Sequence, residues 1–231
     1  MGHAGDLHAR KRLTRGAAIH FQKDTLFDRL ARVVCQAGCL PRKELYESWE
    51  VARRVQRRMR GGRVVDLACG HGLLGAILLI LDRTRTLGVG VDRRIPPCTV
   101  RLRAALEEAW PFLSDRWRLM EGDLSTFPLG ADDVVVSAHA CGGLSDLVLE
   151  RAAEVRARVA VMPCCHAVGR GDLGGLTGWL SPAMAMDVSR AAALRARSYH
   201  VHTQTIPEAI TPQNRLLFGV PVGGSPGVNQ S

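Results

Sequence analysis

No stretch of about 18 apolar residues in this chain runs free of charge, which excludes a helical membrane span. The longest apolar run, Leu73 to Leu81, is too short to cross a bilayer. The basic N-terminus is not followed by an apolar segment, so it does not read as a secretory leader. Seven cysteines make an odd number with no disulfide spacing, and Cys164 and Cys165 are adjacent. Reduced thiols and a cytoplasmic location are expected. Lysine is scarce: of 31 basic residues only Lys11, Lys23 and Lys43 are not arginine. The net charge of +9 therefore has two readings, an acidic partner such as RNA or an arginine-rich coding bias.

What is present suits one folded domain. The chain has 231 residues, of which 46% are hydrophobic and 23% charged. Residues 1–15 read as a flexible arm and 223–231 as a flexible tail. Between 16 and 62, two amphipathic helices are expected, from Asp24 to about Ala37 and from Pro41 to about Arg60. The second ends at Gly61-Gly62 and carries Arg53, Arg54, Arg57, Arg58 and Arg60, either a solvated face or a polyanion contact. These helices are expected to cover the site as a lid. From Arg63 to Val222, short buried strands alternate with helices. The strands are RVVDLAC from Arg63, TLGVGVD from Thr86, WRLMEGD from Trp117, DVVVSAHA from Asp133 and RVAVMPCC from Arg158. Two last strands, Tyr199–Ile206 and Asn214–Val222, follow each other with no helix between. Strict alternation implies an α/β fold with a mainly parallel, doubly wound sheet. The final pair implies an antiparallel hairpin, seven strands in all.

Gly70-His71-Gly72-Leu73-Leu74-Gly75 is a G-x-G-x-x-G pattern between a strand and a helix, and Asp92 ends the next strand. Alone this fits a dinucleotide as well as S-adenosylmethionine. The run Asp66-Leu67-Ala68-Cys69-Gly70-His71-Gly72 resembles the methyltransferase pattern D-x-G-x-G-x-G, with Ala68 at the first glycine. An acid at Asp66 suits the ammonium of the methyl donor, directly or through water. Asp92, with Arg93 beside it, is placed to accept from ribose hydroxyls. At the third strand's end, Gly122 and Asp123 can meet the adenine amino group, with Leu124 beside the ring. Ser137 and His139, at the fourth strand's end, complete the expected cofactor set. Open α/β sheets bind ligands at these carboxyl ends. The resemblance is to class I S-adenosylmethionine-dependent methyltransferases, with a Rossmann-like seven-stranded fold.

The run His139-Ala140-Cys141-Gly142-Gly143-Leu144-Ser145-Asp146, followed by Cys164-Cys165-His166, resembles a narrower signature, H-x-C-G-x-x-[ST]-D…C-C-[HY]. It is similar to a methyltransferase-like group that includes the tRNA 2'-O-methyltransferases of the acceptor stem. The zinc-finger cysteines of those tRNA enzymes are absent. His139 or His166 can act as the base, Asp146 can orient one of them, and Cys141, Cys164 or Cys165 can relay a proton or accept a methyl. A zinc site built from the same cysteines and His166 competes, but adjacent cysteines lack the usual spacing, so no metal is expected. Lys23, Lys43 and Tyr46 on the lid, with Asn214 and Arg215 in the hairpin, are the candidate substrate contacts. The resemblance implies methyl transfer to an acceptor, with RNA and specifically tRNA as one reading. The alternatives are a small molecule, a protein, or a cofactor-binding activator of another methyltransferase.

Overall fold

A computed structural model describes residues 11–163 and 172–223. Cys164, Cys165, His166 and most of the expected arm and tail lie outside them.

Seven strands form one sheet: β1 (Val64–Leu67), β2 (Gly88–Asp92), β3 (Trp117–Glu121), β4 (Val134–Ser137), β5 (Arg158–Val161), β6 (Tyr199–Thr205) and β7 (Arg215–Pro221). Their order is β3-β2-β1-β4-β5-β7-β6. Every pairing from β3 to β5 is parallel, and β7 enters antiparallel to both β5 and β6. The order reverses between β1 and β4, which opens a crevice at their carboxyl ends. β1 and β4 are buried along their whole length, and their VVDL and VVVS sequences suit strands covered on both faces.

The helices are α1 (Leu26–Ala37), α2 (Arg42–Arg58), α3 (Leu73–Leu81), α4 (Thr99–Ala109), the short α5 (Leu113–Arg116), α6 (Leu144–Glu154) and α7 (Pro182–Ala196). Thr25 caps α1 by accepting from the Asp28 N–H at 3.1 Å. Gly38, at φ +64°, closes it in the left-handed conformation. α3 is LLGAILLIL, apolar nearly all round, because the sheet covers one side and α2 the other. One core joins α1 to α4 with one sheet face; a second joins α6 and α7 with the other.

Several expectations change. The first two helices are not a lid but a layer of the main core: Leu30, Val34, Leu45, Val51 and Val55 are fully buried. Part of the expected arm is packed as well. Leu13 is buried, its N–H donates to Leu40 O at 2.7 Å, and Arg12 bridges to Pro41. At the start of α6 the Ser145 hydroxyl donates to Ala140 O at 2.6 Å and braces the turn before the helix. Among the described residues no helix is long and apolar enough to cross a membrane.

Candidate active site

The loop after β1 is shaped by residues in the left-handed region. Ala68 (φ +56°), Gly70 (+54°) and Gly72 (+73°) all lie there. Ala68 occupies the position where the resembling pattern has glycine, and its Cβ makes that conformation costly by about 1–2 kcal/mol. The glycines of the loop then divide by role. A Cβ on Gly72 would come within 2.5 Å of Leu119, and one on Gly75 within 2.2 Å of Trp117. Both keep α3 close against β3's side chains. A Cβ on Gly70 would meet nothing within 4 Å. Its backbone therefore faces open space at the crevice, where a ligand can approach.

Asp92 binds this loop to the end of β2. Its Oδ2 accepts from the Gly70 N–H at 2.9 Å and its Oδ1 from the Arg94 N–H at 3.3 Å. The carboxylate stays half-buried at the crevice, while Arg93 beside it is exposed. Asp66 is enclosed. It accepts from the Gly75 N–H at 3.1 Å, at the start of α3, and burial pushes its carboxyl up to about 8 against that hydrogen bond. Cys69 is buried, and burial with the nearby Asp66 and Asp92 charges raises its thiol well above the ordinary range. His71 is half-buried and held at both ring nitrogens. Its Nδ1 meets Glu44 Oε1 at 3.2 Å and its Nε2 meets Cys98 Sγ at 3.4 Å. Burial alone would lower its pKa, but Glu44 outweighs burial and raises it.

At β3's end, the Gly122 N–H donates to Asp92 O at 2.9 Å, so the two strand ends are joined. Asp123 is exposed and closes a turn, its Oδ1 accepting from the Ser125 N–H and hydroxyl at 2.9 and 2.8 Å. Those bonds lower its pKa. Leu124 is buried against the second core. Ser137, at the end of β4, is fully buried and its hydroxyl has no hydrogen-bond partner among the described residues. A buried hydroxyl without a partner costs free energy, and a bound ligand would relieve it. An unpartnered hydroxyl, an open glycine backbone and a carboxylate, all at parallel strand ends, fit the polar groups of S-adenosylmethionine.

His139 is half-buried two residues beyond β4, and Cys141 is exposed in the following loop. Among the described residues Asp146 pairs with an arginine; His166 lies outside them. Arg190 on α7, only 5% exposed, donates to Asp146 from Nε at 2.6 Å and Nη2 at 3.1 Å, and also to Gly142 O at 3.3 Å. Arg190 Nη1 reaches Asp187 at 3.1 Å, and Asp187 accepts from Arg215 Nε at 2.6 Å. Sequence reasoning missed Arg190. Its one signal was an arginine amid the small apolar residues of α7, which distinguishes no partner. This chain of charges ties the His139–Leu144 loop to the hairpin. Asn214 is likewise held internally, donating to Ile206 O at 2.9 Å. Beside these residues a cavity of about 450 Å³ opens between α7 and the hairpin, lined by Pro163, Asp187, Val188, Thr205 and Arg215. Val161 pairs with Leu217 and Thr205 with Arg215, so the cavity lies at β5's carboxyl end, one strand from His139.

The N-terminal candidates do not converge there. Lys43 pairs with Glu47 at 3.5 Å on α2, and Tyr46 stacks its ring 5.0 Å from Phe27. Lys23 precedes α1, whose Arg29 reaches Ala109 O, the last residue of α4 and the end remote from the crevice. The arginine ridge of α2 is remote too. Glu44 touches the glycine loop, whereas Met59, Gly61 and Arg60 carbonyls meet Arg85 and Arg158 beneath the sheet. From Glu44 to Arg58 the helix rises about 21 Å at 1.5 Å per residue. Arg54 pairs with Glu50, and Arg53 and Arg58 lie over Trp49 and Phe218. Among the described residues no cluster of His, Cys, Asp or Glu could hold a metal.

A family model described as a methyltransferase domain matches residues 43–169, more than half of the chain, and begins inside α2. Among curated proteins, the glutathione S-transferase C-terminal domain-containing protein of Mus musculus is 24% identical over 208 residues, covering 70% of this chain and 30% of that protein. The chain thus spans about a third of the length of the curated relatives it matches. Among solved structures, an O-methyltransferase family protein from Burkholderia thailandensis superposes with TM-score 0.54 at 22% identity, covering 94% of this chain and 66% of that one. The mitomycin 7-O-methyltransferase MmcR gives TM-score 0.52 at 18% identity, covering 86% and 59%. These likenesses carry the fold. The family match makes this chain a member of the methyltransferase-domain family, and its seven-stranded sheet ending in an antiparallel hairpin agrees with that fold.

Proposed function

We propose that this enzyme methylates a small acceptor, or a small part of a larger one, that enters the cavity beside β5. The observation that carries the reading is the position of that cavity, about 450 Å³ at the carboxyl end of the strand next to His139. Its size falls in the range of small-molecule sites. The cofactor supplies an activated methyl on a sulfonium sulfur. Asp92 holds the ribose hydroxyls and keeps the Gly70 loop open; Ser137 offers its hydroxyl to the same ligand. Asp66, buried behind the loop, fixes the start of α3 by accepting from the Gly75 N–H. His139, whose ring makes no hydrogen bond among the described residues, takes the proton from the acceptor as it attacks. Arg190 acts through others: it fixes the 142–146 turn, and through Asp187 the entry to β7, so that loop and cavity keep one geometry.

RNA is the second reading. It is favoured by the H-x-C-G-x-x-S-D run and by Arg93 and Arg94, which are exposed at the cofactor rim. The α2 arginines do not support it, because they lie at the opposite end of the sheet. Incubation with methyl-labelled donor and fractionated cell extract separates the two. Label in small metabolites is expected; label in RNA, lost on ribonuclease treatment, would put RNA first.

A further inference from the structure

Beside the glycine loop, three side chains form a hydrogen-bonded relay. Glu44 begins α2, His71 lies in the loop, and Cys98 precedes α4. His71 Nδ1 meets Glu44 Oε1 at 3.2 Å, and His71 Nε2 meets Cys98 Sγ at 3.4 Å. A carboxylate only accepts, so Nδ1 carries the proton toward Glu44 and Nε2 presents its lone pair to the thiol. This is the arrangement of nucleophile, base and orienting acid that activates a cysteine. A second thiol completes it. Cys39, just beyond the C-cap of α1, lies close enough to Cys98 for the two thiols to interact electrostatically. Burial, and then Cys98, push the Cys39 thiol up to about 12, so Cys39 keeps its proton while Cys98 reacts. Access is also unequal: Cys98 is partly exposed and Cys39 is 2% exposed.

We infer that Cys98 is an oxidation site for hydroperoxides, with His71 as its base, Glu44 as the orienting acid and Cys39 as the resolving thiol. The Cys98 sulfur attacks the distal peroxide oxygen: an S–O bond forms, the O–O bond breaks, and the thiol proton passes through His71 Nε2 to the departing oxygen. The products are a sulfenic acid at Cys98 and water, or an alcohol from an organic hydroperoxide. Cys39 then attacks that sulfur: the S–S bond forms, the S–O bond breaks, and the Cys39 proton leaves with the hydroxide as water. The product disulfide ties the end of α1 to the start of α4 and deprives His71 of its thiol partner.

The test treats the full chain with hydrogen peroxide and maps its peptides by mass spectrometry without reduction. A Cys39–Cys98 disulfide is expected, with the buried Cys35 and Cys69 still thiols. In Cys39→Ser the oxidation should stop at a Cys98 sulfenic acid that dimedone captures. His71→Gln and Glu44→Gln should each slow Cys98 oxidation by about 100-fold, the lower end of general-base assistance. Glu44→Gln leaves the glycine loop's own sequence intact, so a folding fault in His71→Gln does not decide the matter. Cys98 remaining a thiol while other cysteines oxidise would overturn the inference. So would wild-type oxidation rates in both relay variants.

Discussion

Removing the Asp92 carboxylate tests the cofactor geometry most directly. Its Oδ2 already accepts from the Gly70 N–H at 2.9 Å, and that bond exists with or without ligand. The part lost on binding is therefore the pair of ribose hydroxyls. Hydrogen bonds to a charged acceptor contribute about 1.5–3 kcal/mol each. Because Asp92 is half-buried, water partly replaces them, and the lower part of that range applies. Asp92→Ala should thus weaken binding of S-adenosylhomocysteine by about 3 kcal/mol, about 150-fold in Kd. Asp92→Asn keeps one acceptor oxygen but not the charge, and should lose about 1 kcal/mol. Isothermal calorimetry reads both, and a thermal melt shows whether each variant is folded. The wild type should bind no NAD at comparable concentration. If a folded Asp92→Ala bound within twofold of wild type, the carboxylate would serve only to hold the Gly70 turn, and the ribose assignment would be wrong.

Gly72→Ala meets both a left-handed φ and the Leu119 side chain at 2.5 Å, so it should lower the melting temperature and the yield of folded protein. Asp66 gives stability a pH dependence. Its carboxyl is raised to about 8 in the folded state, so between about pH 4 and 8 the native chain keeps a proton that the unfolded chain has released. Stability from this group should fall as pH rises through that window; chemical denaturation of Asp66→Asn, which still accepts from Gly75, should lack that slope. Replacing Arg53, Arg54, Arg57 and Arg58 together by Gln should leave S-adenosylhomocysteine affinity and methyl transfer unchanged at all salt concentrations. A loss of turnover at low salt, with a flatter salt dependence than the wild type, would instead place a polyanion on the far end of α2.

The sheet is legible in the sequence because its strands are short, apolar and followed by helices of a different period. Burial on both faces demands VVDL and VVVS, and the lone hairpin at the end demands an antiparallel strand. The glycine loop is legible for a similar reason: left-handed backbone at Gly70 and Gly72 tolerates few other residues. Ala68 marks the limit of that rule, since it adopts the same conformation without being glycine. Which glycine faces ligand and which faces Trp117 depends on β3, more than 40 residues away in the chain. The roles of charged side chains are hidden for the same reason. Asp146 reads as a histidine's partner because both lie in one short motif, yet Arg190, 44 residues on, takes its carboxylate. Lys23 reads as a substrate contact, and the α2 arginines as either a solvated face or a polyanion contact, because nothing local says which end of a helix lies near the crevice. Periodicity and backbone preference act over a few residues and are written locally in the sequence. The choice of a charge's partner, and of the end of the sheet it serves, is made by helix direction and packing, which only the folded chain supplies.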